Sequence, residues 1–184
     1  WLEGAIESAH LQGALLDLVA EHTALRTKFH RKGPRAFTQE ILTELSPTTF
    51  FEFPAASDEE ARLLAKAQVD APIDIEEGVL RVRVIRRSPS RALLLIVVHH
   101  AVSDGWTVGL MMESFWRKLR QRLELDHAKE PEASPAPQQI DAAYWEEQDL
   151  AAGRWDDAVS YWRGVLARPL PKLKAPKSLR TRAH

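Results

Sequence analysis

The chain has 184 residues, of which 45% are hydrophobic and 28% charged, and its formal net charge is -1. This composition is typical of a globular domain with a substantial core, and the balanced charge gives no electrostatic case for binding nucleic acid. The absence of cysteine excludes disulfides, thiolate metal ligands and a cysteine nucleophile. The absence of cysteine fits a cytoplasmic location, which we expect, and the charge balance predicts no association with nucleic acid. No apolar run is long enough to span a bilayer, so we expect no association with membranes.

The first half of the chain alternates between helical and strand-like patterns. Apolar residues recur at helical spacing near the N-terminus, and three short β-like runs follow. Ser57, with Glu60 three residues later, has the form of a helix-capping box. The predicted elements are a helix over 6–19, strands over 24–29, 36–42 and 48–53, and a helix over 57–69.

The second half contains the most apolar predicted strand, residues 92–98, which is apolar on both faces and is therefore predicted to be central in a sheet. A proline-containing stretch over 129–137 predicts a linker or long loop. The basic, proline-containing residues 169–184 predict an extended tail or linker. The other predicted elements are a strand over 80–86 and helices over 107–123, 139–150 and 155–166. Together these elements indicate an α/β fold.

Polar groups that can carry chemistry follow the apolar strand directly, in His99-His100-Ala101-Val102-Ser103-Asp104-Gly105. Histidine can take and return a proton near neutral pH. If the strand continues, its alternation turns His99 and His100 to opposite faces, so only one of them can face a given cavity. Gly105 permits a tight reversal into the next helix, whose first amides are potential oxyanion donors.

The residues alone leave several roles open for this loop. His100 can act as a base that positions or deprotonates a nucleophile supplied by a substrate. A metal bound by the histidines and Asp104 would lack a clear third ligand spacing, and Ser103 as a nucleophile would lack a G-x-S-x-G elbow. The two histidines can also simply end a strand.

Four segments carry a resemblance to a known family. Residues 99–106 match HHxxxDG, residues 21–29 resemble RHExLRTxF, residues 141–145 resemble YxDYAxW, and residues 161–166 resemble YWxxxL. In this order they resemble the condensation domains of nonribosomal peptide synthetases, in the chloramphenicol-acetyltransferase-like superfamily. The resemblance implies the N-terminal half of that two-lobe fold, with a mixed, largely antiparallel sheet flanked by helices, over residues 1–168.

The resemblance implies an amide-forming reaction, in which a carrier-bound amine attacks a carrier-bound acyl or peptidyl thioester. It implies no directly bound cofactor and no metal, because both substrates arrive on phosphopantetheine arms. The implied partners are the donor and acceptor peptidyl carrier proteins, the C-terminal lobe and adjacent synthetase domains. The resemblance implies that His100 is catalytic and that His99, Asp104 and Arg26 are structural, with Asp104 paired to Arg26. It places Gly105, Trp106 and Ser103 at a backbone or substrate channel and gives Trp145 a packing role.

Some features of the family pattern are absent. Glu21 and Thr23 replace an arginine and a glutamate of the upstream motif, and neither the family's N-terminal segment nor its C-terminal lobe is present. We therefore expect a folded lobe with little or no activity alone. The alternatives are an epimerisation or stand-alone acyltransferase relative, and a non-catalytic scaffold that recruits partners, against which the retained His100 argues.

Overall fold

The computed structural model describes residues 1–34, 36–46, 49–125 and 136–169. The chain divides into two compact units, Trp1–Gln139 and Ile140–His184. The elements are β1 (Leu2–Glu3), α1 (Ser8–Glu21), a 3₁₀ turn (Thr23–Arg26), β2 (Thr27–Arg31), β3 (Phe37–Ile41), β4 (Phe50–Pro54), α2 (Asp58–Asp70), β5 (Leu80–Ser88), β6 (Arg91–Val98), α3 (Gly105–Arg122), α4 (Gln139–Ala151) and α5 (Asp156–Val165). The predicted tail beyond residue 169 and most of the predicted linker lie outside the described residues.

A four-stranded mixed sheet in the order β1-β6-β5-β4 forms the centre of the first unit. Strand β6 pairs antiparallel with both β1 and β5, whereas β4 pairs parallel with β5. The chain returns from β4 to β5 through α2, which provides the long crossover that a parallel pair requires. The position of β6 between two partners confirms the prediction that it is an inner strand.

Helices cover both faces of this sheet. The main core joins α1, α3 and the sheet, and Phe115 of α3, Leu15 of α1 and Val84 of β5 are at most 1% exposed in it. On the opposite face, Ala61 of α2 packs with Ile85 of β5 in a smaller cluster. The separate hairpin β2–β3 pairs Thr27 with Ile41.

The predicted strand over 24–29 is wrong in its first half, because residues 23–26 form a 3₁₀ turn. The Leu25 amide donates to the His22 carbonyl at 3.1 Å, and the Thr27 hydroxyl donates to the Thr23 carbonyl at 3.1 Å. These local hydrogen bonds satisfy the backbone without a partner strand, and they place Arg26 at the end of a turn.

The second unit contains the two helices α4 and α5, which are separated at Gly153 as predicted. Gly153 has φ +71°, a left-handed conformation that favours glycine. No described residue of either helix is buried. Among all described residues, no helix has the length and apolar character needed to cross a membrane.

Candidate active site

The loop that joins β6 to α3 is held by hydrogen bonds centred on the backbone of His99. The His99 amide donates to the Val79 carbonyl at 2.8 Å, just before β5 begins. The His99 carbonyl accepts from the Val102 amide at 3.1 Å and from the Ser103 hydroxyl at 3.3 Å. The Ser103 side chain therefore braces the loop in this structure.

The His99 imidazole belongs to the same internal network. Its Nδ1 accepts a hydrogen bond from the Ala101 amide at 3.0 Å, and this assigns the proton of the neutral ring to Nε2. The ring is half-buried. One of its two nitrogens is thus committed to the loop backbone, an arrangement that suits the proposed structural role.

His100 occupies the turn that follows β6, and its side chain is exposed. Within the described part of the chain, no residue hydrogen-bonds to its imidazole. Both ring nitrogens of His100 are therefore open to a substrate. A free imidazole on a hydrogen-bonded loop can accept a proton from an amine or donate one to a leaving group.

Asp104 caps the N-terminus of α3. Its Oδ1 accepts from the Thr107 hydroxyl and from the Thr107 amide, both at 2.7 Å. These two hydrogen bonds, the hydroxyl's contribution first, hold the pKa of the exposed Asp104 carboxyl below its ordinary value. An aspartate in this position is a favourable helix cap because it satisfies an otherwise unpaired amide and opposes the positive end of the helix dipole.

The structure does not bring Arg26 and Asp104 together, so the predicted pair is wrong here. The Arg26 Nη1 donates to the Leu42 carbonyl beside β3, and no ion pair among the described residues joins Arg26 to Asp104. Asp104 is exposed, so its carboxylate does not need a cationic partner to offset burial. Asp104 instead accepts from Thr107, three residues along the chain, and Arg26 donates to a backbone carbonyl sixteen residues away.

The two residues that begin α3 face open space. A Cβ added to Gly105 would meet no atom within 4 Å, so the described residues by themselves do not require glycine there. Trp106 is 79% exposed. Their roles at a backbone or substrate channel remain predictions.

Trp145 lies on α4 in the second unit and is 53% exposed. Its predicted packing role therefore finds no support among the described residues of that unit.

Two cavities in the first unit have linings that do not include His99 or His100. One of about 140 Å³ is lined by Arg26, Arg81 and Arg83 among others, and one of about 570 Å³ lies between α1 and the loop before β4. Among the described residues, no three His, Asp or Glu side chains are grouped closely enough to hold a metal ion, so the metal alternative gains no support there.

Sequence patterns missed the apolar support of the loop. Val102 is 9% exposed and clusters with Phe29 of β2 and with Val79. The available signal was an isolated apolar residue between the histidines and Asp104. An apolar side chain cannot take part in acid–base chemistry, but when it is buried it can anchor a polar loop.

Comparison with known proteins identifies the chain. The model of the condensation-domain family matches residues 1–184. The chain belongs to this family. Tyrocidine synthase 3 from Brevibacillus parabrevis is 29% identical over 177 residues, which are 96% of this chain and 2% of that protein. Malpibaldin synthetase from Mortierella alpina is 28% identical over 184 residues, which are 95% of this chain and 3% of that protein.

Solved structures agree on the fold of the condensation-domain chain. The X-domain in the complex of the X-domain and OxyB from teicoplanin biosynthesis matches with a TM-score of 0.80 and 25% identity, over 95% of this chain and 38% of that one. The epimerization domain from the third module of tyrocidine synthetase B matches with a TM-score of 0.73 and 22% identity, over 94% and 40%. The chain thus has the chloramphenicol-acetyltransferase-like fold over well under half the length of these structures, as predicted for one of two lobes.

Proposed function

We propose that this chain supplies the histidine-bearing lobe of a condensation domain that forms an amide bond between two carrier-bound substrates. The amine of the acceptor attacks the carbonyl carbon of the donor thioester. A C–N bond forms, the C–S bond breaks, and the proton lost by the amine ends on the released thiol of the donor's phosphopantetheine arm. No cofactor or metal bound by the lobe is required in this scheme.

The observation that carries the proposal is the open imidazole of His100 on a loop that is otherwise hydrogen-bonded and packed. His99 has one nitrogen committed to the Ala101 amide, whereas no described residue occupies the ring of His100. We assign to His100 the positioning or deprotonation of the amine. Its protonated form would then stabilise the tetrahedral intermediate and donate to the leaving sulfur.

The N-terminus of α3 has fewer free donors for a substrate oxyanion, which supports this assignment. Asp104 already accepts a hydrogen bond from the Thr107 amide, and its carboxylate opposes the positive end of the helix dipole. The Thr107 amide is therefore not free to donate to an oxyanion. We assign the stabilisation of negative charge at this end of the lobe to His100.

We also propose that the chain alone is inactive. The side chains of His100 and Trp106 are open to solvent on this lobe, and catalysis of this kind needs a site that excludes water and aligns two substrates. The missing wall would come from a C-terminal lobe, and the substrates from donor and acceptor peptidyl carrier proteins. The cysteine-free composition supports a cytoplasmic location beside the other synthetase domains.

The test is a transfer assay on the parent two-lobe domain with loaded donor and acceptor carriers, with products identified by mass spectrometry in deuterated buffer. We expect an amide product from the parent domain and none from the 184-residue chain alone. Deuterium uptake at the α-carbon without an amide product would indicate an epimerisation domain instead. Carrier or partner binding without either reaction would indicate a recruiting scaffold.

A further inference from the structure

His100 lies between two anchored positions, and both anchors involve Val79. On one side, the His99 amide donates to the Val79 carbonyl at 2.8 Å. On the other, the side chain of Val102 is buried at 9% exposure in a cluster with Val79, which is 1% exposed, and with Phe29. Val79 thus holds the loop by its carbonyl before His100 and by its side chain after it.

The segment 75–79 also connects this loop to β2. The Phe29 amide donates to the Ile75 carbonyl at 3.0 Å, so one short segment accepts a hydrogen bond from β2 near its start and one from the His99 amide at its end. A turn closes the segment, because the Gly78 amide donates to the Asp74 carbonyl at 3.1 Å and Gly78 has φ +150°. The loop is therefore fixed by β2 and segment 75–79. The buried residues of its cluster are different from those of the main core, and Val98 packs against both.

We infer that Phe29, Val79 and Val102 are positioning residues for His100. They hold the backbone on both sides of a ring that has no hydrogen-bond partner among the described residues. Loss of the Val102 side chain would leave the hydrogen bonds at His99 as the main restraint on the turn. Reacting groups must be placed to within about an ångström, and misplacement of that size costs about a hundredfold in rate. The inference rests on the proposed function in that it takes His100 to be the reacting group.

The first test uses the 184-residue chain and its histidine ring resonances in NMR spectra. The chain has seven histidines, and the signal that disappears in His100→Ala identifies His100. We expect Val102→Ala to shift or broaden this signal and Val102→Ile to keep it near the wild-type position. The matched control is Val84→Ala, the same truncation at a fully buried position in the main core, which should leave the signal unchanged. If Val102→Ala fails to fold, Val102→Thr keeps the side-chain shape but buries a hydroxyl, and it gives a second form of the same test.

The second test uses the parent domain in the transfer assay. We expect Val102→Ala to lower kcat by about tenfold to a hundredfold, with the KM for either carrier substrate changed by about twofold or less. Val84→Ala should lower the thermal midpoint but leave kcat within about twofold of wild type.

The outcomes separate this inference from the proposed function. A His100 signal that responds to Val102→Ala no more than to Val84→Ala would overturn the inference, whatever the enzymatic result. A specific response of the signal, together with full activity of His100→Ala, would leave the anchoring role intact and refute the catalytic assignment.

Discussion

A salt bridge between Glu52 of β4 and Arg86 of β5 fastens the sheet to the start of α1. The Arg86 Nε donates to Glu52 Oε1 at 2.7 Å, and its two Nη atoms donate to the Ile6 carbonyl at 3.0 Å and to the Ser8 hydroxyl at 2.8 Å. The Ser8 hydroxyl in turn donates to the second carboxylate oxygen of Glu52. We predict that Glu52→Gln destabilises the first unit, because it removes the charge that balances a mostly buried guanidinium.

The size of the effect follows from the exposure of the two side chains, which is 20% for Arg86 and 33% for Glu52. Breaking a fully buried pair costs about 3–5 kcal/mol, whereas an exposed pair contributes about 0–1 kcal/mol. Since solvent reaches Glu52 and glutamine can still accept one hydrogen bond, we expect a loss of about 2 kcal/mol of unfolding free energy at neutral pH. With an m-value of about 2 kcal/mol/M, the urea midpoint should fall by about 1 M.

The pH dependence gives a second, independent check. Burial by itself raises the pKa of the Glu52 carboxyl, but hydrogen bonds from Ser8 and Arg86 and the charge of Arg86 together hold it below the ordinary value of 4.5. A carboxyl with a lowered pKa contributes stability that is fully present above its unfolded-state pKa and is lost as the pH falls through its folded-state pKa. The difference between wild type and Glu52→Gln should therefore be constant above pH 4.5 and shrink below it.

Urea unfolding followed by circular dichroism, at neutral pH and at several acidic pH values, measures both quantities. The matched control is Glu113→Gln, the same change at an exposed position on α3, which should alter the midpoint little. A Glu52→Gln midpoint equal to that of the control would refute the reasoning. So would a difference from wild type that does not diminish in acid.

Three further predictions concern the two helix caps and Arg26. Ser57 Oγ accepts from the Glu60 amide at 3.1 Å, so Ser57→Ala should cost about 1 kcal/mol in the same unfolding assay; no change would exclude an effective cap. Asp104→Ala should speed amide hydrogen exchange in the first turn of α3, and Asp104→Asn, which retains an accepting oxygen, should do so less. Since Arg26 does not contact Asp104, the effects of Arg26→Met and Asp104→Asn on the thermal midpoint should add in the double variant, and strong coupling would contradict the placement of either residue.

Elements set by local signals were predictable from the sequence. The capping pattern located α2, and Ser57 caps it as predicted, although the Glu60 carboxylate accepts from the Ala56 amide at 2.5 Å and not from the amide of Ser57 itself. The predicted strands over 80–86 and 92–98 correspond to β5 and β6, which pair antiparallel with Leu80 opposite Val98. In each case the residues that determine the element lie within a few positions of one another.

Contacts between distant segments were not predictable in the same way. The family pattern implied an ion pair between Arg26 and Asp104. Arg26 instead donates to the Leu42 carbonyl beside β3, and Asp104 accepts from the Thr107 amide of α3. One local element was also missed, because the alternation of residues 24–29 concealed a turn whose hydrogen bonds close within four residues. The burial of Val102 against Phe29 depends on the path of the intervening chain, which no short window of sequence records.

The most direct test of the central claim is the single-turnover rate of amide formation by the parent domain carrying His100→Ala, beside His99→Ala and wild type. Because a positioned acid–base group contributes about 10²–10⁴-fold, we predict a loss of at least about a hundredfold for His100→Ala, with the thermal midpoint close to that of wild type since the side chain is exposed. His99→Ala removes a ring that is hydrogen-bonded within the loop, and its thermal midpoint should fall. A His100→Ala domain that forms the amide at a rate near that of wild type would contradict the account.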